Sequence, residues 1–415
     1  MFEFSSELGM LTMNLDIVQS IAFTTIVLII GSFIKERVNI FKKYCIPAPV
    51  VGGFSFAIIA FILRQNNIVA ISFDTTLQNI LMTAFFTTVG FTASLKVLKK
   101  GGAKVIKFLI VAVLLVLSQN LLGVISAKII GVNPLLGLIA GSVSMTGGHG
   151  ASGAFGPLIE ANGLEGALSI AMACATFGLV AGSVIGGPLA NKLVEKYNLR
   201  SEEYEKKNYE ELAEVSLEGD GTCCKVSQKL SESNLTSSAI QIIIAMGFGT
   251  VVSSIFSVIG ITMPEYIGAM IVAAIMRNIS DLKGIWTTSE AEISSIGSIC
   301  LSLFLSMAMC SLKLWELVDL AIPIIILLAL QTILMAIFAY FVTFRVMGKD
   351  YTAAVLSAGH CGFGMGATPN GIANMESVTN KYGPSPSSFF ILPLVGALFI
   401  EFFNSAVITT FINLL

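Results

Sequence analysis

Ten times along this chain of 415 residues a mostly apolar run approaches the length that a helix needs to cross a bilayer. Backbone in hydrocarbon finds no water to hydrogen-bond, so runs of this kind must close their bonds internally as helices. They lie near Ile17 to Phe33, Val50 to Leu63, Leu77 to Leu95, Val105 to Ile130 and Ala167 to Leu193. They recur near Ser237 to Ile259, Tyr266 to Met276, Ile293 to Leu312, Val318 to Val346 and Phe389 to Leu414. A composition of 55% hydrophobic and 12% charged residues belongs to a multi-pass membrane protein, not to soluble domains. With 24 Lys and Arg against 26 Asp and Glu, no global field exists to gather nucleic acid, which is excluded as a partner. The seven cysteines form no CxxC pair and no cluster with histidine, so neither a disulfide framework nor a zinc site is expected. Cys223 and Cys224 read as free thiols in a polar loop. The first 20 residues lack the basic start and cleavage signature of a signal peptide, so the first run is expected to stay in the protein.

Two further apolar stretches, 134–160 and 352–374, are interrupted by Gly, Ser, Thr, Pro and Asn. Whether they cross the membrane is decided by basic residues, which are retained on the cytoplasmic side. If both re-enter and leave on the same face, 21 Lys and Arg fall inside and 3 outside, with both termini outside. If both cross, the split is about 11 to 13, so the re-entrant arrangement is expected. Residues 195–236 hold 10 acidic and 6 basic side chains and read as a cytoplasmic polar linker. It separates an N-terminal unit, 1–194, from a C-terminal unit, 237–415.

The two units share features in order. Gly148-His149-Gly150-Ala151-Ser152-Gly153 matches Gly359-His360-Cys361-Gly362-Phe363-Gly364 as GHxxxG, 211 residues apart, and these are the only histidines in the chain. Gln119-Asn120 precedes Gln331-Thr332 by 212 residues, and Ser94-Leu95-Lys96 precedes Ser311-Leu312-Lys313 by 217. Five spans per unit is an odd number, so a repeat must be inverted across the membrane, an architecture that places substrate between the repeats. The expected fold is therefore an all-α polytopic membrane protein, an inverted repeat of five spans plus one re-entrant glycine-rich hairpin.

Irregular backbone at membrane depth is tolerated only where protein buries it or a cavity faces it. The first broken stretch brings the hydroxyls of Ser142, Ser144, Thr146 and Ser152 beside six glycines; the second brings Ser357, Thr368, Asn370 and Asn374. Glycines also serve close helix packing, which is the reading for Gly178, Gly182, Gly186 and Gly187. His149 and His360 read either as buried neutral imidazoles or as substrate contacts, and Gln119 and Gln331 either as interhelical hydrogen bonders or as ligands. Glu401, mid-way along the last run, is an acid whose position marks function, with Asn404 at i+3 on the same face. No Lys or Arg lies deep in a span, so an anionic substrate would rely on helix N-termini, hydroxyls and a co-bound cation.

The run LIAGSVSMTGGHGASG from Leu138, AMACATFGLVAGSVIGGP from Ala171 and AGHCGFGMGATPNGIANM from Ala358 resemble the bacterial glutamate:sodium symporters. IPAPVVGG from Ile46, SLFLSMAMCSLKLWEL from Ser302 and KYGPS from Lys381 extend the likeness over nearly the whole chain. The resemblance implies import of glutamate with sodium ions, no organic cofactor, and a homodimer in the bacterial inner membrane moving by an elevator mechanism. The family's loop motifs fall on Gly147, Gly148, His149 and Gly150, and on Gly359, His360, Gly362 and Gly364. With Ser144, Thr146, Ser152, Thr368 and Asn370 these are the candidate substrate residues; Glu401, Asn404, Gln119 and Gln331 are the sodium candidates. The linker is longer and more acidic than the family's, and Glu401 stands where some relatives carry aspartate. Competing readings are a proton- or sodium-coupled carrier of another small carboxylate and an intramembrane enzyme. The latter lacks a nucleophile or base set around its histidines.

Overall fold

The computed structural model describes residues 2–5, 10–44, 46–199, 201, 231–258, 265–284, 286–312 and 320–415. Most of the expected linker, with Cys223 and Cys224, lies outside the described residues, as does Lys313.

Helices stand at all of the expected apolar runs. They are α1 (Ile17–Arg37), α2 (Ala48–Gln65), α3 (Thr76–Thr92) and α4 (Gly102–Ile130). A broken stretch comes next as α5 (Pro134–Val143) and α6 (Gly148–Ala161), then α7 (Ala167–Tyr197). Beyond the linker come α8 (Glu232–Val258), α9 (Glu265–Lys283), α10 (Glu290–Cys310) and α11 (Ala321–Val346). The second broken stretch forms α12 (Tyr351–Gly364) and α13 (Thr368–Tyr382), and α14 (Pro386–Leu414) ends the chain. Eight of these are long and apolar enough to cross a membrane: α1, α2, α4, α7, α8, α10, α11 and α14. Of the other two expected spans, α3 has 17 residues, and α9 carries Glu265, Arg277, Asp281 and Lys283.

The all-α expectation needs one correction. Three short strands, β1 (Phe2–Ser5), β2 (Met10–Leu15) and β3 (Val69–Phe73), form a sheet in which β2 pairs antiparallel with β1 and parallel with β3. Strands of 4 to 6 residues leave too faint a periodic trace beside the 21-residue run of α1. The sheet joins the start of α1 to the end of α2, where Phe23, Phe56 and Phe73 cluster with ring centroids 5.1–5.9 Å apart.

A polar knot ties α3 to α9 and α10. Buried Arg277 pairs with Asp281 at 3.1 Å and with Glu290, Asp281 also accepts from the Ser94 hydroxyl, and Asn278 bonds the Ala93 carbonyl and the Leu95 N–H. A buried guanidinium is tolerable because these carboxylates neutralise it.

Around the broken stretches, small residues let backbones touch. A Cβ on Gly178 would stand 2.2 Å from the Met365 carbonyl oxygen, and one on Gly186 would stand 2.7 Å from that of Ala358, so α7 lies directly on α12 and the break after it. Gly187, one residue on, meets nothing nearer than Ser377 Oγ at 3.5 Å. Gly178→Ala is therefore expected to destabilise the protein by about 1–3 kcal/mol through overpacking. Gly187→Ala should be neutral, and thermal unfolding of the two purified variants distinguishes them.

Candidate functional site

The two broken stretches meet. The chain between α5 and α6 turns through Gly148 in the left-handed region at φ +55°, where a Cβ would stand 2.6 Å from the Gly366 carbonyl oxygen of the other break. Only glycine combines that conformation with that approach. Beside the contact lies a cavity of about 260 Å³. Thr146, Gly147, Gly148, His149 and Gly150 line it from one break, Phe363, Gly366, Ala367, Thr368 and Pro369 from the other. Gly396, Ala397 and Glu401 complete the wall from α14.

Why the helices break here is local. Gly141 leaves the helical region at ψ −138° within a π-type turn, Ile139–Val143. The Ser142 N–H freed by that break is accepted by Asn120 Oδ1 at 2.8 Å. The second break frees the Gly364 carbonyl, which accepts Gln119 Nε2 at 2.7 Å, while Gln119 Oε1 accepts the Thr146 hydroxyl at 2.7 Å. One side chain on α4 thus holds both breaks. A second π-type turn, Leu394–Phe399, lies one residue before Ile400. An extra residue per turn rotates the rest of the helix by about 100°, and beyond it Glu401 lines the cavity while Asn404 Nδ2 reaches the Ser142 carbonyl at 3.3 Å.

Both half-helices begin at the cavity. The α6 and α13 starts have no side-chain cap, and their first residues, Gly148, His149 and Gly150 with Thr368 and Pro369, line the wall. The first N–H groups of a helix have no partner within it and carry the positive end of its dipole. Glu401 lines the same cavity and has no hydrogen-bond or ion-pair partner among the described residues. No Lys or Arg is among the described residues that line the cavity.

Of the candidate substrate residues, Thr146, Gly147, Gly148, His149, Gly150 and Thr368 face this cavity. His149 Nε2 lies 3.0 Å from Thr176 Oγ1, which also stands 2.9 Å from the Met172 carbonyl. His360 is not brought to the wall. It is fully buried behind Phe363, stacked at 5.1 Å, with Nδ1 2.8 Å from Thr343 Oγ1. Ser144 and Ser152 bond each other and the Ala171 carbonyl. Gly359, Gly362 and Gly364 pack against Leu392, the Asn370 backbone and Leu115, and Asn370 Nδ2 donates to Leu179. Among the sodium candidates only Glu401 is at the wall. Gln119, Gln331 and Asn404 form a buried layer behind it, with Gln331 Nε2 on the Gln119 carbonyl at 2.8 Å and the Gln331 and Asn404 amide oxygens unpartnered among the described residues. The cavity wall also includes Phe85, Thr88, Ser294 and Ser298 of α3 and α10, which sequence reading did not single out. The hydroxyl rows Thr83-Thr87-Thr88 and Ser294-Ser298-Ser302 were the available signal.

Several hydrophobic crossings, two helix starts meeting inside the protein and a cavity beside them define a multi-pass membrane transporter. The model of the Sodium/glutamate symporter family matches residues 13–384. The sodium/glutamate symporter of Haemophilus influenzae is 40% identical over 391 residues, 94% of this chain and 95% of that one. That of Escherichia coli K12 is 40% identical over 402 residues, 97% and 98% of the two chains. A sodium proton antiporter of Methanocaldococcus jannaschii aligns over 96% of this chain and 99% of its own at 14% identity and a TM-score of 0.41. This chain belongs to the sodium/glutamate symporter family, whose members are transporters rather than enzymes.

Gln119→Leu removes the amide that bonds both breaks and leaves the Gly364 carbonyl and the Thr146 hydroxyl with only each other, at 3.4 Å. A loss of about 1–3 kcal/mol is expected, on the scale of the penalty for poorly satisfied buried polar groups. Gln331→Leu removes only a side-chain donor to the Gln119 carbonyl, which lies inside helix α4, so its loss should be smaller. Denaturant unfolding of both variants is the measurement.

Proposed function

We propose that this protein imports glutamate together with sodium ions, the substrate sitting in the cavity between the two broken helices. The observation that carries the reading is the convergence of two uncapped helix N-termini and one unpartnered acid on a single cavity, in a chain of this family. N-terminal N–H groups suit carboxylates, and the described wall offers no Lys or Arg to replace a co-bound cation. Sodium belongs with the amide oxygens of Asn404, Gln331 and Gln119, behind the cavity wall.

The architecture we propose is an inverted repeat, 1–194 against 237–415, joined by a cytoplasmic linker, each unit with one re-entrant hairpin. The order of elements supports it: α1, α2, α3, α4, a broken pair and α7 correspond to α8, α9, α10, α11, a broken pair and α14. In each unit the first two helices touch through glycine, Gly31 with Gly52 and Gly249 with Gly268. A homodimer in the inner membrane, both termini outside, with one part sliding as an elevator, completes the proposal. Coupling to protons through Glu401 is the alternative that its unpartnered carboxylate keeps open.

In proteoliposomes, labelled glutamate should accumulate with an inward sodium gradient and not with a proton gradient alone. Accumulation driven by protons without sodium would turn the reading to proton coupling. Asn404→Ala should shift sodium activation to at least roughly tenfold higher concentration, the loss of about 1.4 kcal/mol of ion binding. Single cysteines at Gly150 and Ala367, partly exposed on the wall from the two breaks, should label from opposite faces if the hairpins are inverted; labelling from one common face in every transport condition would reject the repeat.

A further inference from the structure

The cavity pairs donors with a single acid. The donors are the first N–H groups of α6 and α13, helices of 14 and 15 residues with no side-chain cap. The Thr368 hydroxyl joins them: the residue is 8% exposed, lines the cavity and makes no hydrogen bond among the described residues. The Glu401 carboxylate is the one acid of the same described wall and is likewise unpartnered there. A plain dicarboxylate would satisfy the donors and leave Glu401 facing more negative charge. An amino dicarboxylate brings an ammonium group with three donors and no acceptor, the complement of a carboxylate that already stands there.

A sodium ion competes for the same carboxylate, and the geometry decides between them. A hard cation stripped of water needs about six oxygen ligands. The unpartnered amide oxygens that could supply them, Asn404 Oδ1 and Gln331 Oε1, are buried and not part of the cavity wall. Along α14 the wall beside Glu401 is Gly396 and Ala397, which bring no side-chain oxygen, and the wall hydroxyls of Thr88 and Thr92 are held on the Phe85 and Val89 carbonyls of α3.

We propose that Glu401 binds the α-ammonium group of the transported substrate, while its two carboxylates go to the starts of α6 and α13. Glu401 is thereby the residue that selects an amino dicarboxylate over a plain one. This rests on the transport reading above and assigns the charge of its site.

The test is competition in sodium-driven proteoliposomes between labelled glutamate and unlabelled glutarate, which has both carboxylates and no ammonium. For the unaltered protein, glutarate should compete at least roughly 1,000-fold more weakly than glutamate, the scale seen when a built polar contact goes unmet. Glu401→Gln should weaken glutamate, strengthen glutarate and bring the two within about tenfold, while the sodium midpoint at saturating glutamate stays unchanged. Glu401→Asp keeps the charge and should weaken glutamate while preserving most of the discrimination. Where Glu401→Gln no longer transports, the same ratio is read from protection of the purified variant against thermal unfolding by each ligand in sodium. Equal competition by glutarate in the unaltered protein overturns the proposal. So does a Gln variant that retains discrimination but shifts its sodium midpoint, which would put Glu401 on the coupling ion. A Gln variant that does not fold moves the decision to the unaltered protein and Glu401→Asp, where lost discrimination with the charge retained counts against the assignment. Absence of any sodium-driven glutamate uptake would instead fail the transport reading, so the two failures are distinguishable.

Discussion

Everything at the centre of this protein depends on satisfying the backbone groups that two broken helices release where water is scarce. An unpaired peptide group in an apolar medium costs several kcal/mol, so each break exists only because a neighbour answers it. Asn120 takes the Ser142 N–H, and Gln119 takes the Gly364 carbonyl with its amide nitrogen and the Thr146 hydroxyl with its oxygen. Gln331 in turn holds the Gln119 carbonyl. Two side chains near the middle of α4 therefore make the irregular segments tolerable. The glycine row of α7 lets its backbone approach the carbonyls of Ala358, Cys361 and Met365.

Once the breaks are secured, their geometry has a chemical consequence. A helix that starts inside the protein points unpaired N–H groups and a partial positive charge at whatever lies ahead of it. Here both starts lie ahead of the same cavity, and the π-type turn of α14 precedes the one acid of its described wall. An anion can be held without Lys or Arg, and so without a fixed full charge that would bind it too firmly to release.

The two GHxxxG segments look interchangeable, yet their histidines do different work. His149 stands at the wall and bonds Thr176 through Nε2, while His360 is sealed behind Phe363 and held by Thr343. Equivalent sequence places need not be equivalent in the folded chain, since each histidine's surroundings are set by the helices packed against it. Of the glycines in the second segment, Gly359, Gly362 and Gly364 act by letting Leu392, the Asn370 backbone and Leu115 approach.

The sequence alone determined the membrane setting, the positions of the helices and the places where two of them fail, because apolar length and glycine clusters are local properties. Glu401 was legible for the same reason: an acid in an apolar run is conspicuous without any knowledge of its neighbours. The short N-terminal sheet was not legible, since its strands are brief and one of its pairings joins residues about 58 positions apart. Which candidates face the cavity was decided only by tertiary structure. Thr88, Ser294 and Ser298 join the wall, and Ser152, His360 and Asn370 leave it, because α3 and α10 fold across the breaks while α7 and α11 cover their backs. Direction within a helix follows from the helical period, but what lies opposite each face depends on packing between distant segments, and no local pattern encodes that.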